Sequence, residues 1–189
     1  MLITGGARSG KSRHALELAA DERRRAFVAA AEPIDDEMRR RIERHREERG
    51  DGWLTVEEPI DLAGALDRLP ADVEVVVVDC LTVWLGNLVH RAETSAQTSA
   101  QTIPDARHSL AEPARFPEIA ALLARLEAPH RRTILVGNEV GWGIVPDSPL
   151  ARDFRDLAGR VNEEVARRAD RVVLMVAGRP LEVAGGRDG

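Results

Sequence analysis

Apolar residues in this chain follow two patterns. Short unbroken runs occur at Met1-Leu-Ile-Thr4, Ala26-Phe-Val-Ala-Ala30, Glu74-Val-Val-Val-Val-Asp79, Thr133-Ile-Leu-Val-Gly137 and Val172-Val-Leu-Met-Val176. Runs of that length, continuous rather than alternating, predict strands covered on both faces, and Leu54–Glu57 and Pro180–Val183 add two shorter candidates. Between them the spacing changes to three and four. This predicts helices from about Gly10 to Asp21, Asp35 to Arg49, Asp61 to Leu69, and Leu81 to about His90, and one that Ser148 caps with Pro149 at its first position. Asp35, Asp36 and Glu37 stand where the positive end of a helix dipole favours them. In the last helix Leu150, Phe154, Leu157, Val161 and Val165 form an apolar stripe. Arg152, Arg155, Gly159 and Asn162 form a second, polar one. Alternating strands and helices imply parallel βαβ units, hence an α/β fold of three layers with helices on both faces of a mostly parallel sheet.

The stretch 91–117 breaks this rhythm. It is poor in large apolar residues and carries Thr94-Ser-Ala-Gln97 followed at once by Thr98-Ser-Ala-Gln101. It is expected to be an exposed insertion in a single domain spanning 1–189. The 189 residues fit one domain, and 43% hydrophobic residues suffice for an ordinary core. A balance of 27 basic against 32 acidic residues gives a net charge of −5. That argues against nucleic acid as the partner, since phosphate backbones require a basic surface. No run reaches ~18 apolar residues, so no membrane span is expected, and the absence of a signal-like start points to the cytoplasm. One cysteine, Cys80, excludes an internal disulfide and is read as a small buried residue. The basic residues are 26 Arg and a single Lys, Lys11. A lone ammonium amid guanidiniums marks a place where a compact point charge is needed.

Lys11 falls inside Gly5-Gly6-Ala7-Arg8-Ser9-Gly10-Lys11-Ser12, the pattern of a phosphate-binding loop. A predicted strand precedes it and a predicted helix follows, as a P-loop NTPase-type (RecA-like) sheet requires. The glycines let successive amides face phosphate oxygens, Lys11 reaches the β- and γ-phosphates, and the Ser12 hydroxyl ligates Mg²⁺. Asp79, directly after the valine run, is the candidate second carboxylate for the metal.

On the charged helix Met38, Ile42 and His45 share one face, so His45 is expected to point with the apolar stripe toward the body of the protein. An inward imidazole near a nucleotide suits a nucleophile or an acid/base; a satisfied, partly buried histidine is the plainer alternative. Arg44, Arg46 and Arg49 are candidate phosphate ligands or a solvated face. Asn138-Glu-Val-Gly141-Trp-Gly143-Ile-Val-Pro146 leaves a strand at the ligand edge of a parallel sheet, with Trp142 expected to be exposed.

Taken together, Gly5–Arg13, Asp35–Met38 with Arg41, Ile42 and His45, Asp79–Thr82, Asn138–Pro146, Leu150–Arg152, Phe154–Asp156 and Gly159–Asn162 resemble the adenosylcobinamide kinase/adenosylcobinamide-phosphate guanylyltransferase family. The resemblance covers nearly the whole chain except 91–117. It implies an enzyme of cobalamin nucleotide-loop assembly. Such an enzyme phosphorylates the aminopropanol hydroxyl of adenosylcobinamide with ATP or GTP. It then transfers GMP from GTP to the phosphate through a guanylylated histidine, which the resemblance assigns to His45. The same resemblance puts nucleotide contacts on Gly5–Ser12, on Ala30, Ala31 and Glu32, on Arg46, Glu47, Glu48 and Arg49, and on Glu58 and Asp79, and it implies a homotrimer. A P-loop small-molecule kinase without nucleotidyl transfer, and a nucleotide-responsive cobamide-binding module, remain the alternatives.

Overall fold

The structure, a computed structural model, describes residues 1–33, 36–98 and 110–183. Seven strands form one sheet: β1 (Leu2–Gly5), β2 (Arg25–Ala29), β3 (Trp53–Glu57), β4 (Val75–Asp79), β5 (Arg132–Val136), β6 (Val172–Val176) and β7 (Arg179–Val183). Their order is β3-β2-β4-β5-β1-β6-β7. Every pairing is parallel except β6 with β7, which form an antiparallel hairpin at one edge. The helices are α1 (Lys11–Leu18), α2 (Asp36–Arg49), α3 (Leu62–Arg68), α4 (Leu81–Thr98), α5 (Pro117–Glu127) and α6 (Pro149–Arg168).

The inner strands β1, β2, β4 and β5 are buried on both faces, which explains their unbroken apolar runs, whereas β3 is only partly covered and β7 at the other edge is exposed throughout. Alternate β4 residues serve opposite cores. Val76 and Val78 pack with Leu2, Val28 and Leu135 against α3, α4, α5 and α6. Val75 and Val77 pack with Ile3, Ile134, Val136, Val173 and Met175 against Ala15 and Ala19 on the α1 side. Trp84 of α4 is fully buried, and its indole N–H donates to the Ile60 carbonyl at 2.7 Å. Asp61 caps α3, accepting from the Gly64 amide at 2.9 Å, and the Ser148 hydroxyl caps α6, accepting from the Ala151 amide.

Three expectations need correction. Both flanks of 91–117 belong to the folded body, because α4 continues through Thr98 and the segment after residue 109 packs against the core. Ala111 and Phe116 are buried there, and the Leu110 amide donates to the Asp153 carboxylate at 3.0 Å. Residues 99–109, with half of the Thr-Ser-Ala-Gln repeat, lie outside the described residues, as does Asp35. Secondly, α5 follows immediately, with Ile119, Leu122 and Leu126 buried at helical spacing. Thirdly, Leu150 is exposed: the first turn of α6 projects beyond the sheet, and its apolar stripe reaches the core fully only from Leu157 onward.

Candidate functional site

The carboxyl ends of β1 and β4 open onto one cleft of about 1240 Å³. The loop between β1 and α1 forms its floor. Gly5 has φ +146°, and a Cβ there would stand 2.5 Å from the Met175 carbonyl oxygen of β6, so no side chain fits. Gly10, at φ +96°, is the N-cap of α1 and supplies no side-chain bond to it. The first amides of α1 therefore face the cleft without a side-chain cap, which is how a helix start accepts an anion. The Ser9 carbonyl accepts from the Gly178 amide at 3.2 Å, which ties the loop to the β6–β7 turn.

Lys11 is 6% exposed, and its ammonium donates to the Gly6 carbonyl at 2.6 Å and the Ser9 hydroxyl at 3.4 Å. Burial lowers its pKa from the usual lysine value, and the charges of Asp79 and Glu139 work in the opposite direction. Asp79 ends β4 and lines the cleft with Lys11 and Ser12. A hydroxyl and a carboxylate are hard oxygen donors, and Mg²⁺ commonly takes only one or two protein ligands beside phosphates and waters. The donor set therefore fits the ion. The Cys80 thiol is pushed up to about 11, chiefly by burial and then by the adjacent Asp79 carboxylate. It is a thiol at neutral pH, which suits its reading as a buried residue.

Helix α2 closes the cleft from the side. His45, half-buried, lines it together with Arg40 and Arg44. The imidazole thus faces the same space as the phosphate loop. The other residues that the resemblance assigned to nucleotide lie elsewhere. Arg46 is paired with Glu57 at 3.1 Å. The Arg49 guanidinium stacks over the Phe27 ring at 3.8 Å and donates to the Thr55 hydroxyl. Glu47 is exposed, and Glu48 lies on the α2 backbone. Ala30 is buried, its carbonyl accepting from the Asn87 amide at 2.8 Å; Ala31 is half-buried and Glu32 exposed just beyond the β2 edge. The Glu58 carboxylate accepts from the Ile60 and Asp61 amides and pairs with Arg68.

Sequence reasoning did not single out Arg40, Arg13 or Gly178, which also line the cleft. For Arg40 the available signal is its i,i+4 relation to Arg44. The polar stripe of α6 proves to be a clasp. Arg152 donates to the Pro146 and Asp147 carbonyls, Arg155 to the Gly141 carbonyl, and Asn162 to the Asn138 carbonyl at 3.1 Å. Together these bonds hold the Asn138–Asp147 loop, on whose outer side Trp142 is 67% and Ile144 96% exposed. A smaller depression of about 180 Å³ near the start of β5 holds Arg131, Arg132, Arg168 and Arg171 and does not touch the phosphate loop. Among the described residues no helix is long and apolar enough to cross a membrane.

Comparison with known proteins adds a line that geometry alone does not. A family profile described as "Cobinamide kinase / cobinamide phosphate guanyltransferase" matches residues 1–183. The chain is 42% identical over 187 residues to the bifunctional adenosylcobalamin biosynthesis protein CobU of Escherichia coli, covering 97% of this chain and 98% of that protein. It is 39% identical over 186 residues to CobU of Salmonella typhimurium, covering 97% and 98%. To the bifunctional protein CobP of Pseudomonas aeruginosa it is 40% identical over 186 residues, covering 97% and 96%.

Proposed function

The chain belongs to the cobinamide kinase/cobinamide phosphate guanyltransferase family, and from that premise we propose that the cleft at the phosphate loop carries out both transfers on adenosylcobinamide. The observation that carries the reading is that the phosphate loop and His45 line the same space.

In the kinase step the acceptor hydroxyl oxygen attacks the γ-phosphorus of ATP or GTP. The bond from that phosphorus to the β,γ-bridging oxygen breaks, the nucleoside diphosphate leaves, and the hydroxyl proton is lost. Phosphoryl transfer of this kind has a loose transition state, so positioning and charge supply most of the acceleration. The loop amides and the α1 start hold the phosphates. The Lys11 ammonium turns from the Gly6 carbonyl to the β- and γ-phosphates, and Ser12 and Asp79 would hold Mg²⁺. The ion, when bound, neutralises charge on the phosphate oxygens.

In the guanylyl step an imidazole nitrogen of His45 attacks the α-phosphorus of GTP. A nitrogen–phosphorus bond forms and pyrophosphate leaves with its bonding electron pair. A phosphate oxygen of adenosylcobinamide phosphate then attacks the same phosphorus, the nitrogen–phosphorus bond breaks, and adenosylcobinamide-GDP results. Histidine suits this role because its nitrogen is nucleophilic near neutral pH and the phosphorylated ring is a competent leaving group. Arg40 and Arg44, beside His45 in the cleft, are placed to neutralise the α-phosphate as the bond forms. The exposed Trp142, Ile144 and Val145 are the kind of apolar patch that a trimer would cover, and the enzyme would work in the cytoplasm.

The test is incubation with GTP labelled at the α-phosphate. Wild type should gain an acid-labile label that adenosylcobinamide phosphate discharges, and His45→Asn should gain none while retaining phosphorylation of adenosylcobinamide. An unlabelled wild type that still phosphorylates adenosylcobinamide would reduce the protein to a kinase alone.

A further inference from the structure

Among the described residues three polar or charged side chains are buried: Thr4, Lys11 and Asn162, at 6%, 6% and 8% exposure. Two of them, Thr4 from β1 and Asn162 from the middle of α6, converge on one carboxylate. The Thr4 hydroxyl and the Asn162 amide, the latter at 3.2 Å, both donate to Glu139 Oε1. Lys11 lies close enough to feel the Glu139 charge. The backbone repeats the link, since the Glu139 amide donates to the Gly5 carbonyl at 3.1 Å and the Gly137 amide to the Ile3 carbonyl at 2.9 Å. Gly137 is itself shaped by the arrangement, because a Cβ there would stand 2.8 Å from Asn162 Oδ1. Buried polar groups are costly unless satisfied. A fold that concentrates them on one acidic side chain beneath the phosphate loop is holding that side chain in a fixed place.

We propose that Glu139 is a positioning residue for both transfers, its carboxylate anchoring the root of the phosphate loop. The inference rests on the reading that the loop binds a nucleoside triphosphate. Thr4 immediately precedes Gly5, so holding its hydroxyl fixes where the loop leaves β1.

Two variants test the anchor. GTP affinity is measured calorimetrically at pH 7, and kcat and KM are measured for each half-reaction. Glu139→Ala should weaken GTP binding by about tenfold or more and lower kcat for both transfers, leaving the KM for the corrinoid acceptor within about twofold. Glu139→Gln keeps an acceptor oxygen for Thr4 and Asn162 and should restore GTP affinity and both kcat values to within about threefold of wild type. A merely structural role would show neither this split between kcat and KM nor the rescue. The proposal fails if a folded Ala variant binds and turns over like wild type, or if a folded Gln variant is as impaired as the Ala variant. If the Ala variant does not fold, Thr4→Val, which removes only the anchored hydroxyl, takes its place, and unchanged GTP binding by that variant overturns the proposal. A wild type that binds no GTP overturns the underlying reading instead.

Discussion

Replacing Lys11 by Met tests the site and its energetic cost together. The ammonium is 6% exposed and makes two neutral-acceptor bonds, to the Gly6 carbonyl and the Ser9 hydroxyl. On the proposed reading, triphosphate binding would exchange these for charge-assisted bonds with the β- and γ-phosphates. Two such bonds contribute roughly 3–6 kcal/mol, and the two given up were worth roughly 1–2, which leaves about 2–4 kcal/mol. At 1.4 kcal/mol per decade, Lys11→Met should weaken ATP or GTP binding between about 30- and 700-fold. Stability should move the other way. A lysine whose folded pKa lies below its ordinary value is disfavoured in its charged form by folding. The unfolded chain then binds more protons, so stability rises as pH climbs from the folded pKa toward the usual lysine value. Below that window the cost is fully present, and methionine, unbranched and of similar length, removes it without opening a cavity. The nucleotide-free variant should therefore melt above wild type at pH 7, with the two melting curves converging as pH rises. Calorimetric titration and thermal denaturation give both readings. A variant that binds nucleotide within a fewfold of wild type, or that melts several degrees lower without ligand, would refute the reasoning.

The arginines of α2 give a second discrimination. Arg44→Ala should weaken triphosphate binding about tenfold, whereas Arg46→Ala, which removes a largely exposed pair with Glu57, should leave binding within about twofold and stability within about 1 kcal/mol. Equal losses in filter-binding assays would put Arg46 back in the site. Cys80, at about 11, is a thiol through the neutral range, so thiolate-directed alkylation of the native protein should be slow at pH 7–8 and accelerate only as pH approaches 11. Rapid modification at pH 7, followed by mass spectrometry, would contradict its burial.

Most of the sheet is legible because a doubly covered strand has to be apolar without interruption, and each of the five valine- or leucine-rich runs became a strand within a residue or two of its predicted limits. The phosphate loop is legible for a different reason. Its conformation demands particular residue types, as the clash awaiting any Cβ at Gly5 shows. Helix α5 escaped because Pro113, Pro117 and the polar 91–117 stretch mark a break, while the pattern that matters, Ile119, Leu122 and Leu126, begins just beyond. A proline at a first helical position costs nothing, so Pro117 opens a helix there instead of forbidding one. The Glu139 hub is hidden more deeply. Thr4, Glu139 and Asn162 are ordinary residues far apart in sequence, and only the adjacency of β1 and β5 under α6 joins them.

The charged helix shows what helical periodicity can and cannot place. Residues turn by about 100° each, so Arg49, four after His45, lies within about 40° of it around the axis, and Arg40 lies about 140° away. Angle alone would send Arg49 into the cleft and Arg40 out of it, yet the structure has the reverse. The difference is axial. Arg49 sits about 6 Å beyond His45 toward the carboxyl end, where α2 runs down onto β2 and β3, so its guanidinium meets Phe27 and Thr55 before it can reach a phosphate. Arg40, about 7.5 Å the other way, lines the cleft with the phosphate loop, its long stem offsetting an unfavourable angle. The cleft cations of α2 therefore lie on the amino-terminal side of His45. Truncating Arg40 should lower the rate of His45 guanylylation more than truncating Arg49 does. Loss of Arg49 should show first as a lower melting temperature, because what it removes is the cation–π contact with Phe27 and the bond to Thr55.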